Sequence, residues 1–166
     1  RRGDFGKILG ADCYSPHTVE PTHPDFGFYG IHGVETLYTL LGTGCEAVSR
    51  IHSPMGDIVS GRWNDGRLGT FRAVVKGPGV YGGTAFTEKG TVAAGGYAGY
   101  KVLLDEILRY FKSGASPVSK EETLEIFTFM KASNMSLERG GRTVMMDEAY
   151  AEGMKEARRL LEAYDE

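Results

Sequence analysis

The chain has 166 residues, 41% of them hydrophobic and 11% aromatic, and a formal net charge of −3. Such a length and composition support one domain with a full-sized core and exclude a disordered segment. Lys and Arg are scattered rather than clustered, which argues against a nucleic-acid groove or an anionic membrane surface as partner.

No apolar run approaches the ~18–20 residues of a membrane span, and no charged-then-apolar leader opens the chain. Cys13 and Cys45 are too few for a disulfide framework and lack CxxC spacing, so a reducing, cytoplasmic setting is expected. The chain opens at Arg1 and is soon in strand-like sequence, as a piece of a longer protein would be. Arg2-Gly3-Asp4 spells an integrin tripeptide, but a three-residue match is close to noise.

Lys7–Ser15 reads as a strand, and Pro16–Gly27 as a loop with three prolines and two histidines. Ile31–Leu41 reads as a short helix closed by Gly42 and Gly44. Ala47–His52, Ile58–Trp63 and Leu68–Val75 are strand-like, the last two joined by the Asp65-Gly66 hairpin signal. Tyr81–Thr87 and Thr91–Ala94 flank a second hairpin candidate. Tyr100, Leu103, Leu104, Ile107, Leu108 and Phe111 keep helical spacing, predicting a helix with one buried stripe that ends at Gly114. Ser119 to Glu122 is a capping box opening a helix through about Leu137, and Met146 to Tyr164 marks a terminal amphipathic helix. Its outer charges, Glu148, Glu152, Lys155, Arg158 and Glu162, read as a solvated face.

Hairpins followed by helices predict an α+β domain: a large open, mostly antiparallel sheet with helices packed on one face. "FRAVV" and "TVAAGG" lack clean polar–apolar alternation, so the open face is expected to meet another subunit in a homo-oligomer.

Two glycine patterns, Gly77 to Gly82 and Gly42 to Ala47, imitate dinucleotide fingerprints. A fingerprint works where a strand feeds a helix N-terminus, and neither pattern has that context, so this chain alone is expected to bind no nicotinamide. His17, Glu20, His23 and Asp25 fall within nine residues, with His32 further on. Their spacing fits neither HExxH nor a CxxC ribbon; a polar loop lining a cleft, with His23 and Asp25 among its walls, is favoured over a metal site.

The segment "FYGIHGVETLYTLLG" holds the polar residues that need explaining. With His32 set at zero on a helical wheel, Thr36, Thr39 and Glu35 fall at about 40°, 340° and 300°. Val34, Leu37, Tyr38 and Leu41 fall between about 140° and 240°. The polar groups therefore form one stripe, beginning where the proline-rich loop arrives and flanked by Phe28 and Tyr29. Histidine is the side chain best suited to proton transfer near neutral pH.

"FYGIHGVETLYTLLGTG", then "GRWNDGRLGTFR", then "YKVLLDEILRYFKSGASPVSKEETLEIFTFMKAS" resemble, in that order, the C-terminal domain of Gfo/Idh/MocA-family oxidoreductases. The likeness covers nearly the whole chain, and "FKSGASPVSKEETLEIFTFMKAS" is its most specific part. It implies that residues 1–166 are a single substrate-binding and oligomerisation domain of a longer sugar or polyol dehydrogenase. The N-terminal Rossmann half would carry NAD or NADP and a catalytic lysine. In that family the corresponding helix commonly begins Asp-x-x-x-His. His32 occupies the histidine position, Phe28 stands where the aspartate is expected, and Glu35 matches an acidic position often present. The resemblance implies His32 as the proton-transferring group, with Tyr29, Glu35, Thr36, His23, Asp25 and Trp63 around the substrate. Tyr29, Tyr100 and Trp63 could offer flat apolar surface to a sugar ring. The competing reading is a non-catalytic oligomerisation module with a vestigial cleft, which the loss of the aspartate favours. A third is glycoside cleavage with a nicotinamide oxidised and reduced within one turnover.

Overall fold

The computed structural model describes residues 5–18, 20–96 and 99–164. The Arg2–Asp4 tripeptide lies outside them. The elements run β1 (Ile8–Pro16), α1 (Gly30–Leu41), β2 (Cys45–Ser53), β3 (Gly56–Trp63), β4 (Leu68–Val74), β5 (Gly82–Thr87) and β6 (Gly90–Ala94). Then come α2 (Lys101–Ser113), α3 (Lys120–Glu138), the short β7 (Val144–Met145) and α4 (Met146–Tyr164). The strands form one open sheet in the order β6-β5-β1-β4-β3-β2-β7. Only β1 with β4 is parallel; the other pairings are antiparallel.

Helices α1, α3 and α4 cover one face, so the expected α+β architecture holds. Burial alternates along the strands, most clearly in β3 and β4. Val59, Trp63, Phe71 and Ala73 point into the core, while Ser60, Arg62 and Arg72 point away from it. The alternation that apolar content alone hid in "FRAVV" is therefore present, because glycine, alanine and the aliphatic part of the sheet share the inner face. On the outer face Asp12, Thr70, Ser60 and Ser49 make a polar row across four strands. Tyr14, Leu68, Ile51 and Phe86 are exposed on either side of it.

Helix α1 lies unusually close to the sheet, and glycines on both partners make this possible. A Cβ on Gly33 would sit 2.3 Å from the Phe71 ring, and one on Gly69 would sit 2.6 Å from Leu41. Val34, Leu37, Tyr38 and Leu41 are buried in that contact. Ser15, wholly buried beneath the start of α1, has its hydroxyl 3.1 Å from the Tyr29 carbonyl and 3.3 Å from that of Gly30, and donates to them. The apolar stripe thus pins one side of α1 down and leaves His32, Glu35 and Thr39 outward.

Helix α3 begins as its capping box predicts, with the Ser119 hydroxyl accepting from the Glu122 amide at 3.0 Å. Helix α2 departs from expectation. It has the predicted bounds and Gly114 terminus, but none of its residues is buried, and Phe111 is 77% exposed. Its apolar stripe, Leu103, Leu104, Ile107, Leu108 and Phe111, is exposed along its length. In α4, Met146 and Ala149 are buried while Leu161 and Tyr164 are exposed, so only its first turns share the core.

Candidate functional site

Residue Tyr29 precedes α1 with φ 62° and ψ −36°, a backbone region that non-glycine residues rarely occupy. Such strain costs on the order of 1–3 kcal/mol and concentrates at functional sites. Here it turns the Tyr29 ring, 45% exposed, toward the first turn of the helix, where its centroid lies 6.4 Å from that of His32. Tyr81, arriving from the β4–β5 connection, lies 5.9 Å from His32. Loss of solvation, with Tyr29 beside it, pushes the Tyr81 phenol above its ordinary value.

His32 and Glu35 are half-exposed and paired: Nδ1 lies 2.9 Å from Glu35 Oε2. With the carboxylate accepting from Nδ1–H, the imidazole keeps its lone pair on Nε2, the tautomer a general base requires. Phe28, where an acidic partner was expected, instead packs its ring on Tyr29 at 4.6 Å and on His23 at 5.4 Å. Glu35, one turn further along, supplies the carboxylate from the other side. Thr36 and Thr39 donate their hydroxyls to the carbonyls of His32 and Glu35, at 2.8 Å each. Those protons are engaged within the helix, so toward a ligand both hydroxyls act as acceptors. Gly95, with φ 65°, comes against the Thr36 methyl group and brings the end of β6 to this side of α1.

The structure therefore gathers His32, Glu35, Thr36 and Tyr29, together with Tyr81, which sequence reading placed only at the start of a strand. An aromatic closing a Gly-Pro-Gly loop was the available signal. His23 and Asp25 do not join them. They line a separate cavity of ≈ 380 Å³ beneath the loop after β1, which the His23–Phe28–Tyr29 ring contacts and the Ile31 amide donating to the Phe26 carbonyl connect to the start of α1. Trp63 is a correction: it is 1% exposed in the core, where its indole N–H donates to the Gly42 carbonyl at 2.9 Å. Its size and aromaticity serve packing against Tyr38 and Phe129 rather than a ligand. Tyr100 is exposed, beside the bare helix α2.

Around that second cavity lies a buried ionic network. Arg50 of β2, 3% exposed, donates Nε to Asp57 at 2.9 Å and Nη1 to Asn134 at 2.9 Å and to Asp25. Its guanidinium also lies 4.2 Å above the Phe26 ring. His17 Nε2 is 3.3 Å from Asp25, and His52 Nδ1 is 2.8 Å from Asp57. Burial pushes the His17 imidazole below its ordinary value, against the opposing pull of Asp25 and Asp57. Despite this clustering, no three His, Cys, Asp or Glu among the described residues are arranged to hold a metal ion.

The two fingerprint-like glycine patterns lie in the α1–β2 and β4–β5 connections, so neither opens a helix.

No family model matches the sequence. No curated protein matches it either. Solved structures do. Myo-inositol dehydrogenase from Lactobacillus casei, in complex with NAD(H) and myo-inositol, superposes with a TM-score of 0.67 at 13% identity, over 86% of this chain and 55% of its own. Myo-inositol 2-dehydrogenase from Lactobacillus plantarum does so with a TM-score of 0.69 at 13% identity, over 86% and 58%. The WlbA dehydrogenase from Bordetella pertussis, in complex with NADH and UDP-GlcNAcA, gives 0.65 at 18% identity, over 87% and 56%. The chain thus has the fold of the C-terminal domain of Gfo/Idh/MocA-type dehydrogenases. It spans little more than half the length of the dehydrogenases it resembles.

Proposed function

We propose that this chain is the substrate-side and oligomerisation domain of an NAD- or NADP-dependent oxidoreductase acting on a sugar or polyol. The observation that carries the reading is the His32–Glu35 pair, 2.9 Å apart, at the outward start of a helix otherwise pinned to the sheet. Oxidising a secondary alcohol needs a hydride acceptor on one side of the carbon and a base at the hydroxyl. The nicotinamide, held by a dinucleotide-binding domain outside these residues, supplies the first. His32 Nε2 takes the hydroxyl proton, Glu35 holds the ring in place through Nδ1, and the Tyr29 and Tyr81 rings border the sugar. Protomers associate through the open sheet face, in the cytoplasm, where two buried free thiols are at home.

The test is His32→Ala in the protein carrying both domains. Turnover should fall roughly 10²–10⁴-fold, the usual contribution of a positioned acid–base group. Thermal stability should shift little, because half-exposed substitutions away from the core change it by under about 0.5 kcal/mol. An unchanged rate with lost stability would make His32 a structural histidine and favour the non-catalytic reading.

A further inference from the structure

Among the described residues, positive φ outside glycine is confined to Phe26 at 61° and Tyr29 at 62°, both just before α1. Backbone of this kind persists only where its surroundings over-determine it. At Tyr29 the carbonyl accepts from the Ser15 hydroxyl at 3.1 Å and from the His32 amide at 3.2 Å. Phe26 is held by a longer chain of contacts. Its amide donates to Asp25 Oδ1 at 2.9 Å, and its carbonyl accepts from the Ile31 amide at 2.7 Å, in the first turn of α1. Its wholly buried ring lies edge-on to Phe71 at 5.2 Å, with the Arg50 guanidinium over it at 4.2 Å.

That guanidinium is fixed in turn by the body of the domain. Asp57 of β3 accepts from Nε, Asn134 of α3 accepts from Nη1, and Nη1 also reaches Asp25 in the loop. A planar fork held from two elements places its charge at one point, which the flexible ammonium of a lysine would not do. The path from β2 to His32 therefore runs through Arg50, Asp25, Phe26 and the Ile31 amide. We infer that Arg50 and Asp25 are positioning residues for His32: their buried ion pair holds the strained Phe26–Tyr29 turn, and with it the Tyr29 ring and the start of α1. The inference rests on the proton-transfer role given to His32 above.

The experiment is Asp25→Asn in the protein carrying both domains, with histidine rings labelled with ¹⁵N and turnover measured as for His32→Ala. Asparagine keeps the size but offers one acceptor oxygen instead of two, so either Arg50 Nη1 or the Phe26 amide loses its partner. Asp57 still balances the guanidinium, so no unpaired charge is buried and the variant should fold, which a thermal melt checks. Turnover should fall about 10–100-fold, the scale of a small misplacement of a catalytic group. The His32 ring resonances should move, while KM for the nicotinamide stays within about twofold because the other domain holds it. In a His32→Ala background Asp25→Asn should cost nothing further, since two changes acting through one group do not add. Should Asp25→Asn not fold, Asn134→Ala frees the guanidinium on its α3 side and carries the same comparisons, with a loss of about 3–10-fold. Where His32→Ala impairs turnover, an equal loss from Asp25→Asn in both backgrounds, no loss in either, or unmoved His32 resonances would overturn the inference. Where His32→Ala leaves turnover intact, the reading of the site fails, and the His32 resonances alone decide the positioning: moved, it stands; unmoved, it falls.

Discussion

Gly33 of α1 lies so close to Phe71 of β4 that a Cβ there would stand 2.3 Å from the ring and 2.9 Å from the Ser15 hydroxyl. The helix can press against the sheet only because this side chain is missing. Alanine would gain about 1 kcal/mol of helix propensity over glycine. Overpacking a full core costs typically ~1–3 kcal/mol, and Phe71, itself fully buried, has little room to give way. Gly33→Ala should therefore lower stability by about 1–2 kcal/mol and displace the start of α1. Urea denaturation with an unchanged or raised midpoint would contradict the close approach.

Tyr29→Gly should leave stability nearly unchanged. Glycine relieves the positive φ, about 1–3 kcal/mol, and costs about 0.5–1 kcal/mol in chain entropy. The ring is a little over half buried, on Phe28 and near His32, so its loss costs about a further 1 kcal/mol and offsets much of the relief. Stability should hold within about 1 kcal/mol, while turnover of the two-domain protein falls because the aromatic wall beside His32 is gone. Thermal melts and steady-state kinetics on the same preparation separate the two effects.

The pH dependence of stability should carry the mark of His17. Its folded-state pKa is lowered, with burial as the chief cause, so the folded state prefers the neutral ring. That contribution is fully present above the unfolded value near 6.5 and is lost as pH falls through the lower folded-state value. Asp25 and Asp57 oppose the shift, while Arg50 and His52 reinforce it. Urea midpoints measured downward from pH 7.5 should decline below about pH 6.5, and His17→Gln should flatten that part of the curve.

Much of this architecture was legible beforehand, for identifiable reasons. The α1 stripe separated cleanly because helical period and burial agree over three turns, and the Ser119 cap and Asp65-Gly66 turn depend on neighbours in sequence. What sequence could not supply was anything set by distant contacts. Trp63 reads more readily as core than as a ligand platform, and only the enclosing Tyr38 and Phe129 decide between the two. Asp25 reads as a loop carboxylate until Arg50 reaches it from β2. Helix α2 shows the reverse error: its periodicity predicts a buried stripe, yet none of its residues is buried, because helical spacing alone does not supply a surface to cover it.

Cys13 and Cys45 should be unreactive in the native protein. Burial pushes each thiol up to about 12, leaving a thiolate fraction of roughly 10⁻⁴ at pH 8. Iodoacetamide at pH 8 should label neither until denaturant is added, then both. Rapid labelling of either in the folded chain would show that the core opens there.

Ile107→Asp in α2 should cost the 166-residue chain little, under about 0.5 kcal/mol, although the sequence pattern marks Ile107 as a core position. The reason is its 40% exposure on a helix that has no buried residue. A loss of several kcal/mol in the chain's melting profile would mean that α2 docks on the body after all.

Strand β1 is the first strand of the chain and sits between β5 and β4, pairing Gly10 with both Leu68 and Phe86. Its place in the sheet exists only once both neighbours have been made. At ~5–20 residues per second, synthesis leaves β1 without flanking strands for roughly 4–15 s. Its backbone N–H and C=O groups and the apolar Ala11 and Cys13 are exposed throughout that wait. Completion of the sheet is then an insertion between two strands rather than growth at an edge, a high-separation step that slows folding relative to helical proteins of this size. Chaperone dependence and misassembly should accordingly originate at residues 8–16, the segment farthest in time from its partners.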